Sequence, residues 1–203
     1  MEQIIGRAAH ALSDEALAAL CRSYDRTIID LGTGDGRFIR DLARGDASCL
    51  AIGIDAARTS LAVRSRKAPA NALYLIANAG TLPNVLDGMA STVTSFFPYG
   101  SLLSLLCGQA GSLEAIVALL RPGAALEATV NAGALQAHGL AFGQGVATIL
   151  EALDRSGLRH QPPAILDAAA LRRSATTWGR RLAFGRDPRA VQITARKECG
   201  TAD

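Results

Sequence analysis

The sequence contains Ile28-Ile29-Asp30-Leu31-Gly32-Thr33-Gly34-Asp35-Gly36-Arg37, a stretch that specifies most of the architecture. Its apolar first residues are typical of a buried strand, which runs into a loop with a glycine at every second position. This spacing differs from the dinucleotide-binding fingerprint, whose last two glycines are three positions apart. Glycine is required where the backbone has a positive φ or lies against a ligand, so this is a candidate ligand-binding loop.

A second apolar stretch, Leu50-Ala51-Ile52-Gly53-Ile54-Asp55, follows the loop and also ends in an acidic residue. It comes at about the interval at which α/β folds place a ribose-binding carboxylate. An ordinary glycine-rich turn, with Asp30 and Asp55 as caps, is the alternative. The order strand, acid, loop, helix, strand, acid favours a binding site, and it looks like the S-adenosylmethionine (SAM) site of a class I methyltransferase.

The composition is that of a single globular domain. The chain has 203 residues, 49% of them hydrophobic, so we expect one domain over 1–203, with an N-terminal extension (1–24) and a core (25–203). No apolar run has the length of a membrane span, and the start lacks the form of a secretion signal, which favours the cytoplasm. The four cysteines are scattered without a CxxC pair, which argues against a zinc site and a disulfide framework.

The charge is distributed unevenly along the chain. The net charge is only +3, but between residues 155 and 197 ten Lys or Arg residues accompany two acids, Asp167 and Asp187. Such clustering indicates a polyanionic partner, with a solvated basic face as an equally good alternative.

Strand-like and helix-like segments alternate, which predicts an α/β fold of the class I (Rossmann-like) methyltransferase type, with a mostly parallel seven-stranded sheet flanked by helices. Ser13 is expected to cap a first helix over 14–22. The segment 121–123 reads as a turn before a fifth strand, and the Gly- and Ala-rich segment 131–145 as a mobile loop. The predicted strands are 27–31, 50–55, 73–77, 91–97, 125–130 and 190–195; the predicted helices are 37–44, 58–66, one from about 102, 112–120, 146–155 and 168–174.

Ligands bind beyond the carboxyl ends of the strands in an open α/β sheet, and several candidate residues fall at that edge. The glycine loop can approach the methionine part of SAM, Asp30 can order the loop or meet the amino group, and Asp55 can accept hydrogen bonds from the ribose hydroxyls. Asn78 and Ala79 follow the third strand, where adenine would be held. The predicted cofactor-binding residues are Asp30, Gly32, Thr33, Gly34, Asp35, Gly36, Asp55, Asn78, Ala79 and Phe97.

Two aromatic residues are candidates for holding the methyl acceptor. Tyr99 lies in Phe97-Pro98-Tyr99-Gly100 after the fourth strand, where Pro98 stiffens the backbone. Trp178 is the only tryptophan and lies among arginines, in a segment, 175–186, with no clean helical or strand period. Aromatic faces hold unstacked bases and arginines hold phosphates. The alternatives are a Tyr99 packed under a helix and a Trp178 that fills the core.

These motifs bring the chain close to a known family. It resembles the aminoglycoside-resistance 16S rRNA (adenine-1408-N1)-methyltransferases, the Kam/NpmA group, from Asp30 to about Arg196. The segment 97–103 is similar to the family's Phe-Pro-Trp-Gly-(Ser/Thr)-Leu-Leu, and 178–186 to its Trp-x-(Lys/Arg)-Arg-Leu-Ala-Phe-Gly-Arg. In that family two tryptophans sandwich a flipped adenine, and basic residues grip the folded 30S surface.

The resemblance implies roles for particular residues. Tyr99 and Trp178 would sandwich the base, and Thr176 lies where the family has a hydroxyl near the target. Together with Pro98, which stiffens the backbone beside Tyr99, they are the candidate catalytic residues. The chain departs from the family in three places: Tyr99 replaces a tryptophan, Gly80 replaces a frequent Glu, and 64–71 is shorter than the family's RNA-touching linker. The RNA-binding candidates are Arg66, Lys67, Arg180, Arg181, Arg186 and Arg189.

The implied reaction needs no general base, because N1 of neutral adenine has a free in-plane lone pair. Catalysis would then depend on positioning the extruded base. The first hypothesis is a monomeric enzyme that methylates adenine 1408 in the 30S subunit. A small-molecule SAM methyltransferase and a SAM- or RNA-binding protein without turnover are the alternatives.

Overall fold

A computed structural model describes residues 1–109 and 113–199. Within them, ten strands form one sheet, and nine α-helices and a short 3-10 turn (Asn84–Leu86) surround it. The strands are β1 (Glu2–Ile5), β2 (Ala8–Ala11), β3 (Arg26–Leu31), β4 (Cys49–Asp55), β5 (Ala72–Ile76), β6 (Ala90–Phe96), β7 (Leu120–Asn131), β8 (Leu158–His160), β9 (Ala164–Leu166) and β10 (Ala190–Lys197). The helices are α1 (Asp14–Arg22), α2 (Arg37–Gly45), α3 (Arg58–Ser65), α4 (Ser101–Leu106), α5 (Leu113–Leu119), α6 (Ala132–Ala137), α7 (Phe142–Arg155), α8 (Ala168–Arg172) and α9 (Thr177–Leu182).

The strand order places a ligand crevice at β3. The order is β2-β1-β5-β4-β3-β6-β7-β10-β8, with β9 paired to β10. The pairs from β5 through β7 are parallel, whereas β10 is antiparallel to β7 and the β1–β2 hairpin is antiparallel to β5. The chain leaves β3 for β4 on one side and later returns to β6 on the other. Such a switch point opens a crevice beyond the carboxyl ends of the two strands.

The central strands are apolar on both faces because helices cover both sides of a parallel sheet. Ile29 and Leu31 of β3, and Leu50 and Ile52 of β4, are fully buried. The ends of these strands, where the acidic residues stand, are therefore held by fully buried parts of the core. The predicted α/β class and mostly parallel sheet are confirmed.

Most predicted elements are found within a residue or two of their expected bounds, and Ser13 caps α1 by accepting from the Ala16 N–H at 3.2 Å. The sheet has ten strands rather than seven, because the β1–β2 hairpin and β9 extend a path of seven strands from β5 to β8. The hairpin, β8 and β9 were not predicted, and residue 112 of one predicted helix lies outside the described residues.

Two local predictions are wrong. The segment 121–123 is not a turn between elements but part of the long strand β7, where the pairing with β6 shifts register and Gly123 has φ +78°. The segment 131–145 is not a loop, because α6 and the start of α7 occupy it. Alanine-rich sequence is compatible with helix, and burial of Ala134 and Leu135 against the core decides the outcome.

Candidate active site

The glycine loop after β3 has the backbone that its sequence requires. Gly32, Gly34 and Gly36 all have positive φ, at +71°, +56° and +68°. A Cβ on Gly32 would lie 2.7 Å from Leu102, and one on Gly36 would collide with the Tyr74 ring. Gly34 has no atom within 4 Å of that position. The outer glycines therefore permit packing, and Gly34 leaves open backbone for a ligand.

Asp55, at the end of β4, holds the loop in place. Its Oδ2 accepts a hydrogen bond from the Gly34 N–H at 2.8 Å, and its Oδ1 accepts one from the Ala57 N–H at 2.8 Å. A carboxylate has about four lone-pair sites, so each oxygen can accept a further bond. Asp55 thus both fixes the loop and offers acceptors to a pair of ligand hydroxyls.

A first cavity, of about 280 Å³, lies beside this carboxylate; we call it the cofactor cavity. It opens between the ends of β4, β5 and β6 and the start of α4. Asn78 makes a local turn there, with its Oδ1 accepting from the Gly80 N–H at 2.9 Å. The cofactor cavity is lined by Gly32, Ile54, Asp55, Ala56, Ala77, Asn78, Ala79, Phe97, Pro98, Tyr99, Ser101 and Leu102.

A second cavity, of about 290 Å³, borders the glycine loop and shares Gly32 with the cofactor cavity; we call it the loop cavity. It brings Asp30, Thr33, Gly34 and Asp35 together with residues of α9. Gly36 lines neither cavity and stands at the N-cap of α2, where its positive φ and the close Tyr74 ring give it a structural role; its cofactor contact stays a prediction.

Asp30 is almost completely buried at the floor of the loop cavity. Burial raises the pKa of its carboxyl group to about 7, and a hydrogen bond from the Thr94 hydroxyl at 2.7 Å opposes that rise. Near neutral pH this group is poised between its protonated and ionised forms. A cationic ammonium group placed beside it would favour the ionised form.

A third cavity, of about 560 Å³, lies between two exposed aromatic side chains; we call it the base cavity. Tyr99 is 70% exposed and Trp178 is 57% exposed, so neither ring is packed in the core as the alternatives required. Apart from Phe97, the rest of the lining is small or polar. The base cavity is lined by Phe97, Tyr99, Asn131, Gly133, Ala134, Ala137 and Trp178.

Phe97 stands in the wall between the cofactor cavity and the base cavity. Its φ is +56°, and it is the only non-glycine residue with positive φ among those described. Its N–H donates to the Thr129 carbonyl at 2.7 Å. Strained backbone of this kind persists where surrounding structure fixes it, and it clusters at functional sites.

Trp178 is placed by a helix that was not predicted, α9. Thr176 is its N-cap, and the Thr176 hydroxyl accepts from the Gly179 N–H at 3.1 Å, so this hydroxyl is held by the protein itself. Gly179 allows α9 to approach the wall, since a Cβ there would lie 2.9 Å from Phe97. The two segments that carry the aromatic side chains are therefore in direct contact.

The predicted RNA-binding residues fall into four groups. Arg181 and Arg186 are exposed, and Arg181 also lines the loop cavity. Arg180 is half-buried and donates to the Ser174 carbonyl at 2.9 Å, which makes it a support of α9.

Arg189 is exposed but partnered. It donates to Asp187 at 2.8 and 2.6 Å, and its guanidinium lies 5.6 Å from the centre of the Phe142 ring. Arg66 and Lys67 lie elsewhere, after α3, where the Arg66 side chain borders Gly6 of the hairpin turn.

The sequence pattern of the 16S rRNA (adenine(1408)-N(1))-methyltransferases matches residues 2–197 of this chain. The chain belongs to that family. An Escherichia coli protein described as a 16S rRNA (adenine(1408)-N(1))-methyltransferase is 30% identical over 194 residues, covering 86% of this chain and 89% of its own length. Three predictions are thereby confirmed: the family resemblance read from the motifs, the methyltransferase fold, and the prediction that the chain is an enzyme.

One solved structure of a similar protein agrees with this membership, and a second shows the same fold. The aminoglycoside resistance methyltransferase NpmB1 is 31% identical, with a TM-score of 0.79 and coverage of 97% of this chain and 98% of its own. A 16S rRNA (adenine(1408)-N(1))-methyltransferase from Catenulisporales acidiphilia, described as a mutant with cosubstrate SAM, is 23% identical, covers 100% of this chain and 99% of its own, and shares the fold with a TM-score of 0.82.

Sequence reasoning missed two residues that line these cavities. Asn131 ends β7 and lines the base cavity, and Thr177 lines the loop cavity with a buried hydroxyl that has no hydrogen-bond partner among the described residues. Asn131 could have been found as a polar residue at the carboxyl end of a parallel strand.

Within residues 1–109 and 113–199, no helix has the length and hydropathy to cross a membrane, and no cluster of three or more His, Cys, Asp or Glu side chains could hold a metal ion.

Proposed function

We propose that this member of the family transfers the methyl group of SAM to N1 of adenine 1408 in 16S rRNA within the 30S subunit, and thereby confers aminoglycoside resistance. The observation that carries the proposal is that the cofactor cavity and the base cavity share Phe97, and that Tyr99 borders both. A base held between Tyr99 and Trp178 would meet the cofactor across that shared wall.

The cofactor cavity and the loop cavity suit the parts of SAM. Asp55 keeps acceptor capacity for the ribose hydroxyls, and Asn78 and Ala79 border the space for adenine. Asp30 lies where an ammonium group would find a buried carboxylate. When bound, SAM supplies an electrophilic methyl group on sulfur.

The protein's part in the reaction is to position the base. N1 of adenine uses its lone pair to form the new N–C bond as the S–C bond breaks, and the positive charge passes from sulfur to the base. Trp178 and Tyr99 hold the extruded base in line, and their faces stabilise the cationic product. No proton leaves before the transfer, so the chain needs no general base.

The rRNA surface would be held by the exposed arginines next to the base cavity. Arg181 and Arg186 follow Trp178 closely along the chain, and both are exposed, so their guanidinium groups can meet phosphates. We propose that Arg189 gives up its ion pair with Asp187 and binds a phosphate when the protein docks. Arg66 and Lys67 would contact RNA only if the 30S subunit extends to the β1–β2 hairpin. We further propose a monomeric single-domain enzyme that works in the cytoplasm, where 30S subunits are found.

Methyl transfer from tritiated SAM to purified 30S subunits tests the function. We expect incorporation into 30S subunits and little into protein-free 16S rRNA or a metabolite extract, because the basic surface reads folded rRNA. Primer extension should then stop at adenine 1408, since N1-methyladenine blocks the Watson–Crick edge. A stop at another nucleotide would overturn the target, and label in metabolites alone would favour a small-molecule methyltransferase.

A further inference from the structure

Asn131 is a buried polar residue whose side-chain amide makes no hydrogen bond within residues 1–109 and 113–199. It is the last residue of β7, only 6% exposed, and it occupies the N-cap position of α6. An Asn at this position usually accepts a hydrogen bond from the first turn of the helix. Here it makes no such bond, and within the described residues its side chain makes no other hydrogen bond.

The backbone around Asn131 fixes the direction of the side chain. Asn131 pairs with Ala190 of β10, and the next N–H, that of Ala132, donates to the Arg189 carbonyl at 2.9 Å. The side chain lines the base cavity. A Cβ on Gly133 would lie 3.3 Å from the Asn131 Nδ2, so the missing side chain of Gly133 leaves the amide uncovered.

An amide that has no partner within the described residues and lines an open cavity keeps its donor and acceptor for whatever enters that cavity. Its position in the wall of a cavity flanked by two exposed aromatic rings points to a ligand that supplies those partners. The ligand must be planar to fit between Tyr99 and Trp178, and it must offer both a donor and an acceptor on one edge.

We propose that Asn131 is the residue that selects adenine, by pairing its amide with N6 and N7 of the flipped base. The inference rests on the proposed function. Oδ1 accepts from the exocyclic amine and Nδ2 donates to N7, which is the pairing that Asn makes with adenine edges in DNA. This leaves N1, on the other side of the amine, free for methylation. Guanine presents O6 as an acceptor in place of the amine, so it would leave Oδ1 without a donor.

The test is the variant Asn131→Leu, which has a similar size and no hydrogen-bonding group. We expect the single-turnover rate of methyl transfer at saturating 30S subunits to fall about 5- to 100-fold, the range of one bidentate base contact. The melting temperature should stay the same or rise, because no intramolecular bond is lost. Gln136→Leu is the matched control: Gln136 is an exposed amide of α6 outside the base cavity, and its variant should keep the wild-type rate.

A modified target separates base contact from a structural role. In 30S subunits reconstituted with 7-deazaadenine at position 1408, the wild type should lose about 5- to 20-fold in rate, whereas Asn131→Leu should lose nothing further. Three results would overturn the proposal. The wild-type rate could be unaffected by 7-deazaadenine, both proteins could lose the same factor in rate, or Asn131→Leu could be fully active on the unmodified subunit. Absence of any wild-type stop at adenine 1408 would instead overturn the proposed function.

Discussion

Asp55 and Asn131 stand at equivalent places, the carboxyl ends of the parallel strands β4 and β7, but their surroundings differ. Asp55 receives two backbone hydrogen bonds and fixes the glycine loop. Asn131 receives none from the described residues and borders an open cavity. The cofactor side is therefore organised by the chain itself before any ligand binds. On our proposal the base side is completed by its substrate, so the two sides should respond differently to substitution.

The largest effect is expected on the cofactor side, from Asp55→Ala. This change removes acceptors for the ribose and also releases the Gly34 N–H, so SAM affinity should fall about 100-fold or more, as expected for two lost hydrogen bonds to a charged group. Isothermal titration calorimetry measures it. Asp41→Ala, which removes an exposed acid of α2, is the control for the loss of charge. An unchanged SAM titration in a folded Asp55→Ala protein would remove the ribose assignment.

The second-largest effect is expected on the base side, from Trp178→Ala. One base–aromatic stack contributes about 1–3 kcal/mol, so methyl transfer to 30S subunits should fall about 10- to 100-fold. Docking should change little because the arginines remain, and SAM binding should be normal. Phe184→Ala, an exposed aromatic residue of the same segment that lines none of the three cavities described here, should retain more activity. A full-strength primer-extension stop with Trp178→Ala would contradict the stacking model.

Charge reversal at Arg186 and Arg181 should show where the base side meets RNA. Replacing either residue with Glu should weaken 30S binding and flatten the log–log salt dependence by about 1 for each lost phosphate contact. Arg181 also lines the loop cavity with Asp30, so Arg181→Glu will weaken SAM binding as well if its guanidinium faces the cofactor carboxylate. A salt slope equal to that of the wild type would exclude a phosphate role for the residue tested.

The smallest effect concerns Asp30 and the pH dependence of the cofactor side. Its folded pKa of about 7 lies above the usual value of 3.8, so between these values the unfolded chain has released a proton that the folded protein keeps. This group therefore lowers the free energy of unfolding as the pH rises from about 4 to about 7, and Asp30→Asn should be more stable at pH 8 by about 1 kcal/mol or more.

Urea unfolding of both proteins at pH 5 and pH 8 measures this difference. SAM affinity of the wild type should rise with pH through about 7, because the ammonium group prefers the ionised carboxylate, and Asp30→Asn should lose that dependence. Equal pH dependence in the two proteins would assign it to another group.

Sequence reasoning located the cofactor side more completely than the base side. The glycine loop and Asp55 lie on successive buried strands, whose apolar runs and acidic ends are local signals. Trp178 could be singled out as a lone tryptophan among arginines, but α9 is too short to show a period. Asn131 was included in a predicted loop, because its role depends on the turn into α6 and on the missing side chain of Gly133. Local pattern identifies elements, whereas the base cavity is made by contacts between distant segments.

The β1–β2 hairpin has a consequence for the handling of the protein. Without it, β5 would be an edge strand, and its apolar segment Ala72–Ile76 would expose unpaired N–H and C=O groups, a template for association with another chain. β1 pairs with the end of that edge, Glu2 with Ile76 and Gln3 with Leu75, and the sheet then ends with the short, mostly exposed strand β2. Deletion of residues 1–11 would therefore promote aggregation, even though these residues line none of the three cavities.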